Sequence, residues 1–267
     1  MSAPNQAPCR VCGGDSSFTF RLRVLDHDVA YFDCPRCGYF QTEAPHWLKQ
    51  AYASAINDVD TGIMWRNQLN VQRVLMTLSA LGKLRGRMID HAGGYGILVR
   101  LLRDAGVDAR WRDKYCKNLL ARGFEATDTD TATDLLTAFE VFEHIEHPLD
   151  ELKVLMAQAP AVLVSTDLVP SIGPRPDWWY LGPEHGQHIG FFRVETLAWM
   201  ARALNCHYAT DGHSLHLFSR APVPRLWLPL QRMRRLAKLF TRGHLQPRIQ
   251  TDFEALRRNR QPRLPQA

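Results

Sequence analysis

Four of the six cysteines are arranged in two pairs that could bind a metal ion. Cys9 and Cys12 form one CxxC pair, Cys34 and Cys37 form a second, and 21 residues separate the two pairs. A CxxC turn directs two thiolates at one point about 2.3 Å from a zinc ion, and a second such turn completes a tetrahedron. The spacing therefore predicts a zinc ribbon with these four cysteines as ligands.

Two disulfides, or a redox-active CxxC pair, are the alternatives for these cysteines. A cytosolic chain keeps its thiols reduced, and a redox motif needs only one pair, so zinc is the favoured interpretation. A site closed by four protein ligands has no open position for a substrate, and we therefore expect a structural role for the metal.

A glycine-rich turn is the second chemical feature of the chain. Residues 88–96 read MIDHAGGYG, so that Ala92, Gly93, Gly94 and Gly96 follow the acidic residue Asp90. Small residues between a strand and a helix let the backbone approach a ligand at the helix N-terminus. An ordinary tight turn between strand and helix would look the same. Asp113, 23 residues after Asp90, strengthens the ligand-binding interpretation because it could accept hydrogen bonds from ribose hydroxyls.

Alternating strands and helices position this turn. The predicted strands are Met88–Ala92, Asp108–Arg112, Leu135–Val141 and Ala161–Thr166, and the predicted helices are Ile97–Asp104, Asn118–Arg122, Leu149–Ala157 and Val194–Leu204. Such alternation is typical of an open parallel sheet with helices on both faces. An Asp211-Gly212 turn between the apolar runs His207–Ala209 and Ser214–Ser219 predicts an antiparallel hairpin at the end of the sheet.

The region before the sheet contains the ribbon and two helices. Phe18–Leu25 and Val29–Cys34 are predicted as strands of the ribbon, and His46–Ile56 and Ile63–Leu81 are predicted as helices. In the second helix the apolar residues recur close to helical spacing.

A third motif identifies a family. Residues 134–145 read DLLTAFEVFEHI, with Pro148 just beyond, and this segment resembles the fourth-strand signature of class I S-adenosylmethionine-dependent methyltransferases. The segment Asp90–Gly96 resembles that family's first motif, although alanine stands at the first of its glycine positions. The order and spacing of the motifs agree from Arg87 to the hairpin near Ser219.

The resemblance implies a fold and a cofactor site. The fold would be α/β, a Rossmann-like class I methyltransferase sheet that is parallel apart from an antiparallel terminal hairpin. The cofactor would be S-adenosylmethionine, with Asp90 and Glu140 near it, Asp113 on the ribose hydroxyls and Asp128 near the adenine amine. A nicotinamide-dependent dehydrogenase could share the glycine turn, but it would not explain the Glu140–His144 segment or the hairpin.

A histidine-rich segment after the last parallel strand is the predicted acceptor site. It contains His185 and His188, and it resembles a segment of related methyltransferases that include sugar C-methyltransferases, some of which also have an N-terminal zinc-binding domain. Histidine suits proton removal because its pKa lies near working pH. We expect His188 to be a general base or an orienting group, with His185, Glu140 and His144 nearby. In those relatives a glutamate often precedes this histidine, whereas here Gln187 does.

Charge is concentrated in the C-terminal tail. Residues 221–267 contain eleven Lys or Arg and two acidic residues, a net charge of +9, so the remaining 220 residues carry −3 of the total of +6. Leu226, Leu230, Met233, Ala237 and Phe240 would form one apolar stripe of a helix over Pro224–Phe240. Such a helix could lie on an anionic membrane surface or bind phosphate, but the favoured interpretation packs the stripe against the domain and leaves a solvated basic face.

We therefore predict three segments and one function. A zinc ribbon (1–43) precedes a methyltransferase domain (44–220, with leading helices over 44–84), and a basic tail (221–267), helical at first and disordered from Arg257, follows it. The chain has no candidate membrane span and no signal peptide, which favours a cytoplasmic location. The predicted acceptor is a small molecule, first of all a sugar or glycan intermediate. A zinc-ribbon RNA methyltransferase and a non-catalytic interaction module are the alternatives.

Overall fold

The computed structural model describes residues 5–52, 61–127 and 132–260, which form two β-sheets and eight α-helices. The N-terminal sheet consists of β1 (Gln6–Pro8), β2 (Asp15–Val24), β3 (His27–Asp33), β4 (Phe40–Thr42) and β9 (Gly190–Phe191). The main sheet consists of β5 (Arg87–His91), β6 (Asp108–Arg112), β7 (Leu135–Phe139), β8 (Ala161–Ser165), β10 (His207–Thr210) and β11 (Leu215–Ser219). The helices are α1 (Leu48–Ala51), α2 (Ile63–Ala80), α3 (Ile97–Asp104), α4 (Pro148–Gln158), α5 (Val194–Ala203), α6 (Trp227–Arg232), α7 (Ala237–Thr241) and α8 (Ile249–Arg260).

The main sheet is parallel at its centre and antiparallel at one end. Its order is β10-β11-β8-β7-β5-β6, and only the pairings of β11 with β8 and with β10 are antiparallel. All five residues of β8 are buried, as expected for a parallel strand covered on both faces. Helices α4 and α5 contribute to the apolar core on one face, and α2 and α3 to the core on the other. The α/β class and the terminal hairpin are thus confirmed.

The hairpin turn is held by a single carboxylate. Asp211 Oδ1 accepts hydrogen bonds from the backbone N–H groups of His213, Ser214 and Leu215, at 2.9–3.0 Å. Gly212 has a φ of +81°, a conformation that glycine adopts without steric cost. The Asp-Gly signal in the sequence therefore corresponds to a real turn between β10 and β11.

The predicted helix Asn118–Arg122 is wrong. Asn118 Oδ1 accepts the N–H of Ala121 at 2.9 Å, and Asn118 Nδ2 donates to Glu125 at 2.7 Å, so the segment is an irregular turn. Asparagine side chains compete in this way with the backbone bonds of a helix. After this turn, an isolated parallel bridge joins Glu125 to Trp111 of β6.

The N-terminal sheet continues into the second half of the chain. Strand β9 pairs with β4, and the backbone N–H of Thr42 donates to the carbonyl of Ile189 at 3.0 Å. The predicted helix His46–Ile56 is present as the short helix α1, and positions 53–60 lie outside the described residues. The boundaries near residues 43 and 220 stay predictions, but the ribbon shares a sheet with the larger domain.

The tail packs on the domain as predicted, but only part of the predicted stripe faces inward. The expected helix Pro224–Phe240 is divided into α6, a 3-10 turn and α7. Ala237 of the stripe is buried and Leu230 packs against the core, whereas Leu226, Met233 and Phe240 are exposed; Trp227 and Gln231, outside the stripe, are buried in their place. Hydrogen bonds explain this orientation, because the side chains of Trp227 and Gln231 both donate to Thr77 Oγ1 of α2, at 3.1 and 2.9 Å.

The end of the tail is also tied to the domain. Asp252 of α8 accepts hydrogen bonds from Arg103 at 2.7 and 2.8 Å, and both side chains are buried. Residues 257–260, which were expected to be disordered, are the last turn of α8, and residues 261–267 lie outside the described part of the chain.

The turn between β5 and α3 contains a strained alanine. Ala92 has a φ of +56°, in the left-handed region that costs a residue with a side chain about 1–2 kcal/mol. Gly96, the N-cap of α3, has a φ of +84° and is so closely packed that an added Cβ would lie 2.9 Å from Asn118 Oδ1. The glycine-rich turn is therefore real, and alanine occupies a position suited to glycine.

We expect Ala92→Gly to raise the free energy of unfolding by about 0.5–1 kcal/mol. The strain that it relieves in the folded state is larger than the entropic stabilisation that glycine gives to the unfolded chain. Denaturant unfolding monitored by circular dichroism measures the change. Ala105→Gly is the matched control, since Ala105 has a φ of −79° and the same exchange there should lower the free energy of unfolding by about 1 kcal/mol. Equal destabilisation of both variants would contradict the strain at Ala92.

Candidate active site

The four predicted ligand cysteines lie together at the tip of the ribbon. The Sγ atoms of Cys9 and Cys37 are 3.6 Å apart, and those of Cys12 and Cys34 are 3.5 Å apart. Disulfide sulfurs would be about 2 Å apart, whereas the edge of a tetrahedral zinc–thiolate site is about 3.8 Å. The cluster therefore has the dimensions of a metal site, and all four cysteines are free.

Asp90 lies at the carboxyl end of β5, directly before the glycine-rich turn. Its side chain is buried, and Oδ1 accepts a 2.6 Å hydrogen bond from Thr137 Oγ1 of β7. Burial raises the pKa of Asp90 to about 7. Gly93 donates its N–H to the carbonyl of Arg112 at 3.1 Å, so the turn is fixed to the end of β6.

Asp113 lies beside the turn, as the sequence predicted, and is already engaged by the backbone. Its Oδ1 accepts the N–H groups of Tyr115 and Cys116 at 2.7 Å, and its Oδ2 accepts the N–H of Gly94 at 2.9 Å. A carboxylate has about four acceptor positions, so Oδ2 retains one for a further donor. Asp113 thus shapes the turn and can still bind one hydroxyl. Asp128, the predicted partner of the adenine, lies outside the described residues.

Glu140 follows β7 at the same edge of the sheet. It has a φ of +54°, and its Oε1 accepts a 2.6 Å hydrogen bond from Ser165 Oγ at the end of β8. Burial and the neighbouring Glu143 raise the pKa of Glu140. A strained backbone at the end of a sheet strand is frequent at functional sites, because the surrounding structure must hold it in place.

Three predicted site histidines form one cluster. The ring centroid of His188 lies 4.9 Å from that of His144 and 4.8 Å from that of His185. The ring of Tyr180 packs on the other side of His188, with centroids 4.5 Å apart. The sequence-based grouping of His144, His185 and His188 is therefore what the structure contains.

Backbone groups determine which ring nitrogens carry hydrogen. Nδ1 of His188 lies 2.6 Å from the carbonyl oxygen of Tyr180 and must donate to it, which leaves the lone pair of a neutral ring on Nε2. Nδ1 of His144 is 3.1 Å from the carbonyl oxygen of Gln187 and 3.0 Å from the hydroxyl of Tyr52. Nδ1 of His185, by contrast, accepts the N–H of Gln187 at 3.1 Å.

Burial keeps these histidines neutral. It lowers the pKa of His188 and of His185, and it lowers the pKa of His144 well below its usual value. A neutral imidazole with a free ring nitrogen can accept a proton or bind a metal ion. His188 therefore has the protonation state that a general base requires.

Glu143 is a buried site residue that the sequence analysis quoted but did not assign. Its Oε1 accepts a 2.7 Å hydrogen bond from the hydroxyl of Tyr180, and no described group bonds its Oε2. Burial raises the pKa of Glu143 to about 7. Glu143, His144 and His188 each offer a ligand atom within 4.8 Å of the others, so this cluster could also hold a cation.

The residue before His188 has a structural role. Gln187 is buried and donates from Nε2 to the carbonyl of Ala51 at 2.9 Å, which ties the histidine segment to α1. Glu184 is exposed and forms no described hydrogen bond with His188, although its charge favours the protonated form of that ring. The buried carboxyl group close to His188 comes instead from Glu143, 45 residues earlier in the chain.

Asp167 was missed by the sequence analysis. It lies two residues beyond β8, and burial, followed by the charge of Glu140, raises its pKa to about 6. Its position after a parallel strand was a usable signal, because ligands bind at the carboxyl ends of such strands. Three aromatic residues, Trp178–Tyr180, precede the histidines. Tyr180 packs in the histidine cluster, whereas the side chain of Trp179 is 71% exposed.

Comparisons with known proteins indicate the family of the domain. A family model described as a methyltransferase domain matches residues 64–210, more than half of the chain. A comparison with curated proteins gave no match.

Several solved structures are similar to the chain. Magnesium protoporphyrin IX methyltransferase from Synechocystis PCC 6803, with bound SAH, is 17% identical, and the match covers 65% of this chain and 93% of that one with a TM-score of 0.45. An O-methyltransferase family protein from Burkholderia thailandensis is 15% identical over 67% of this chain and 64% of that one, also with a TM-score of 0.45.

The match of the family model spans the main sheet from α2 to β10, including the glycine-rich turn and the Glu140–His144 segment. The chain therefore belongs to the methyltransferase-domain family, which confirms the S-adenosylmethionine-dependent methyltransferase predicted from its motifs.

Proposed function

We propose that the protein methylates a small-molecule acceptor, with the half-buried histidine His188 as general base. The observation that supports this most directly is the orientation of His188, whose Nδ1 is held by the carbonyl of Tyr180 and whose Nε2 is left to accept a proton. By resemblance, a sugar or glycan intermediate is the first acceptor to test.

The residues at the ends of β5 and β6 fit S-adenosylmethionine. The remaining acceptor position on Asp113 Oδ2 suits a ribose hydroxyl, and the turn of Gly93, Gly94 and Gly96 leaves room for backbone contact with the cofactor. When bound, the cofactor supplies an electrophilic methyl group on a sulfonium. Asp90, buried behind the turn, hydrogen-bonds Thr137 and fixes the end of β5.

The histidine cluster provides the proton chemistry. With the cofactor bound, Nε2 of His188 would accept the proton of the acceptor group, so that no free anion of the acceptor has to form. The carbonyl of Tyr180 and the nearby charge of Glu140 both favour the protonated ring that results. Tyr180 in turn donates its hydroxyl to Glu143, which orients the aromatic ring against His188.

Zinc in the ribbon would act at a distance, through the position of the histidine segment. The backbone carbonyl of Ile189, next to His188, accepts hydrogen bonds from the N–H of Thr42 and from the guanidinium of Arg10, which lies between the ligands Cys9 and Cys12. A metal-held ribbon therefore stabilises the segment that carries the base.

The ribbon surface disfavours the RNA methyltransferase alternative. Arg21 pairs with Asp28 at 2.9 Å, and Arg193 pairs with Asp33 at 2.7 Å, so basic groups on this sheet are neutralised by the protein itself. A nucleic-acid surface would present unpaired cations. A protein that binds the cofactor but transfers no methyl group to any acceptor would favour the non-catalytic alternative.

We expect the purified protein to bind S-adenosylhomocysteine but not NADH, and Asp113→Ala to weaken the binding roughly tenfold to a hundredfold, because charge-assisted hydrogen bonds are lost. Isothermal titration calorimetry measures both. Glu254→Ala, which removes an exposed carboxylate of α8, is the control and should bind like the wild type. Equal affinity in the Asp113→Ala variant would exclude the ribose role.

We expect His188→Gln to lower kcat roughly a hundredfold to ten-thousandfold while the Kd for S-adenosylhomocysteine stays the same, because only the proton acceptor is removed. The assay follows methyl transfer from S-adenosylmethionine to a panel of nucleotide sugars and glycans.

The lowered pKa of His188 also sets the pH dependence. Activity should persist below pH 6.5, the usual value for histidine, and should decline only as the pH falls through the lower pKa, where the ring becomes protonated and can no longer act as a base. Histidine NMR titration checks this pKa without an acceptor. A ring that titrates at or above 6.5 would contradict the proposal.

We expect one zinc ion per chain by elemental analysis, and we expect Cys34→Ser to lose it and to lower the unfolding midpoint by about 5 °C or more. Cys116→Ser, which changes a free cysteine outside the ribbon, should keep both the zinc and the midpoint. A wild-type protein without metal, or a Cys34→Ser variant that retains it, would refute the zinc site.

A further inference from the structure

The tail surface, defined here as the exposed side chains of residues 225–242, has a composition that the methyltransferase function does not require. Its apolar members are Leu226, Met233, Leu236, Leu239 and Phe240, and its basic members are Arg225, Arg232, Arg235, Lys238 and Arg242. Leu226 and Leu239 are 66% and 64% exposed. Five large apolar groups in 18 residues of sequence form the kind of exposed patch that marks an interaction site.

Fixed contacts on the other side of these helices prevent the apolar residues from turning inward. Trp227 is buried against α2, and Gln231 donates hydrogen bonds from Nε2 to the carbonyl of Arg73 at 3.1 Å and to Thr77 Oγ1 at 2.9 Å. Ala237 and Thr241, six and ten residues after Gln231, are buried as well. The same side of α6 and α7 thus faces α2 throughout, and the leucines face away from it.

The charge of the surface is of one sign. Eight Lys or Arg and no acidic residue occur between Asp211 and Asp252. Within the described part of the chain, none of the five exposed cations of the tail surface forms an ion pair. A partner that fits this surface therefore combines negatively charged groups with an apolar region.

We propose that the tail surface docks the protein on an anionic lipid bilayer, with the leucines and Phe240 in the acyl boundary and the cations among the lipid phosphates. Basic and apolar side chains interleaved along a helical surface are suited to this environment. A nucleic acid would satisfy the cations but would leave the aliphatic side chains in water. A second copy of the chain would bring five cations against five, because the same surface would meet itself.

Vesicle sedimentation tests the proposal with the full-length protein. We expect binding to vesicles of phosphatidylcholine and phosphatidylglycerol in equal parts, weaker binding as salt is raised, and little binding to phosphatidylcholine alone. The double variant Arg235→Gln/Lys238→Gln should reduce the partition coefficient roughly thirtyfold, at about fivefold for each cation. The double variant Leu236→Ser/Leu239→Ser, which keeps every charge, should reduce it about tenfold or more.

Exposed residues on another helix provide the matched control. Lys153→Gln/Val154→Ser changes one cation and one exposed apolar residue of α4, and it should bind vesicles like the wild type. All variants should keep their affinity for S-adenosylhomocysteine, which separates loss of docking from loss of folding.

Several results would overturn the proposal. The first is that the leucine variant binds vesicles as well as the wild type does. The second is that RNA of any sequence displaces the protein from vesicles by forming a complex with it. The third is that analytical ultracentrifugation shows self-association of a protein that does not bind vesicles. None of the helices within the described residues could span a bilayer.

Discussion

The position of the histidine segment depends on backbone hydrogen bonds from the N-terminal region. The carbonyl of Ile189 bonds to Thr42, the N–H of Leu25 donates to the carbonyl of Pro183 at 2.9 Å, and the indole of Trp47 donates to the carbonyl of Gly186 at 2.8 Å. Between β8 and α5 the segment has only the two-residue strand β9 and one 3-10 turn of its own. Buried polar backbone groups must find partners, and here the ribbon and α1 supply them. The ribbon and α1 therefore position the histidine segment, and the proposed role of that segment depends on them.

Desolvation determines the charge state of the site as a whole. It raises the pKa of Asp90 and Glu143 to about 7 and that of Asp167 to about 6, while it lowers the pKa of His188 and its two neighbouring histidines. Both effects have one cause, since removal of water disfavours the charged form of an acid and of a base alike. Desolvation therefore moves these acids and histidines toward their neutral forms. In the proposed reaction, the charge that His188 would gain on protonation is favoured by the carbonyl of Tyr180 and by the charge of Glu140.

Features that depend on local periodicity were predictable from the sequence. Helix α3 and strand β6 have the predicted bounds, because a stripe of apolar residues or a short alternating run decides them without distant contacts. Side-chain hydrogen bonds decided the features that were missed. Asn118 bonds to the backbone and prevents a helix. Gln231 and Trp227 bond to Thr77 and leave Leu226, Met233 and Phe240 of the predicted stripe exposed. The histidine cluster was predictable in membership but not in detail. Glu143 bonds to Tyr180, 37 residues later in the chain, and the tautomer of His188 depends on an irregular loop that brings the carbonyl of Tyr180, eight residues earlier, to its ring.

Helix α2 joins the tail to the active-site edge through Arg73. The backbone carbonyl of Arg73 accepts the hydrogen bond from Gln231, and its guanidinium donates to Ser214 Oγ at 3.0 Å beside the terminal hairpin. That guanidinium also interacts electrostatically with Asp211, Glu140 and Asp167, and burial lowers its pKa. The backbone of Arg73 therefore contacts the tail, whereas its guanidinium lies near the acidic groups of the candidate site. Arg73 thus connects the tail, through α2, to the edge of the sheet where Glu140 and Asp167 lie.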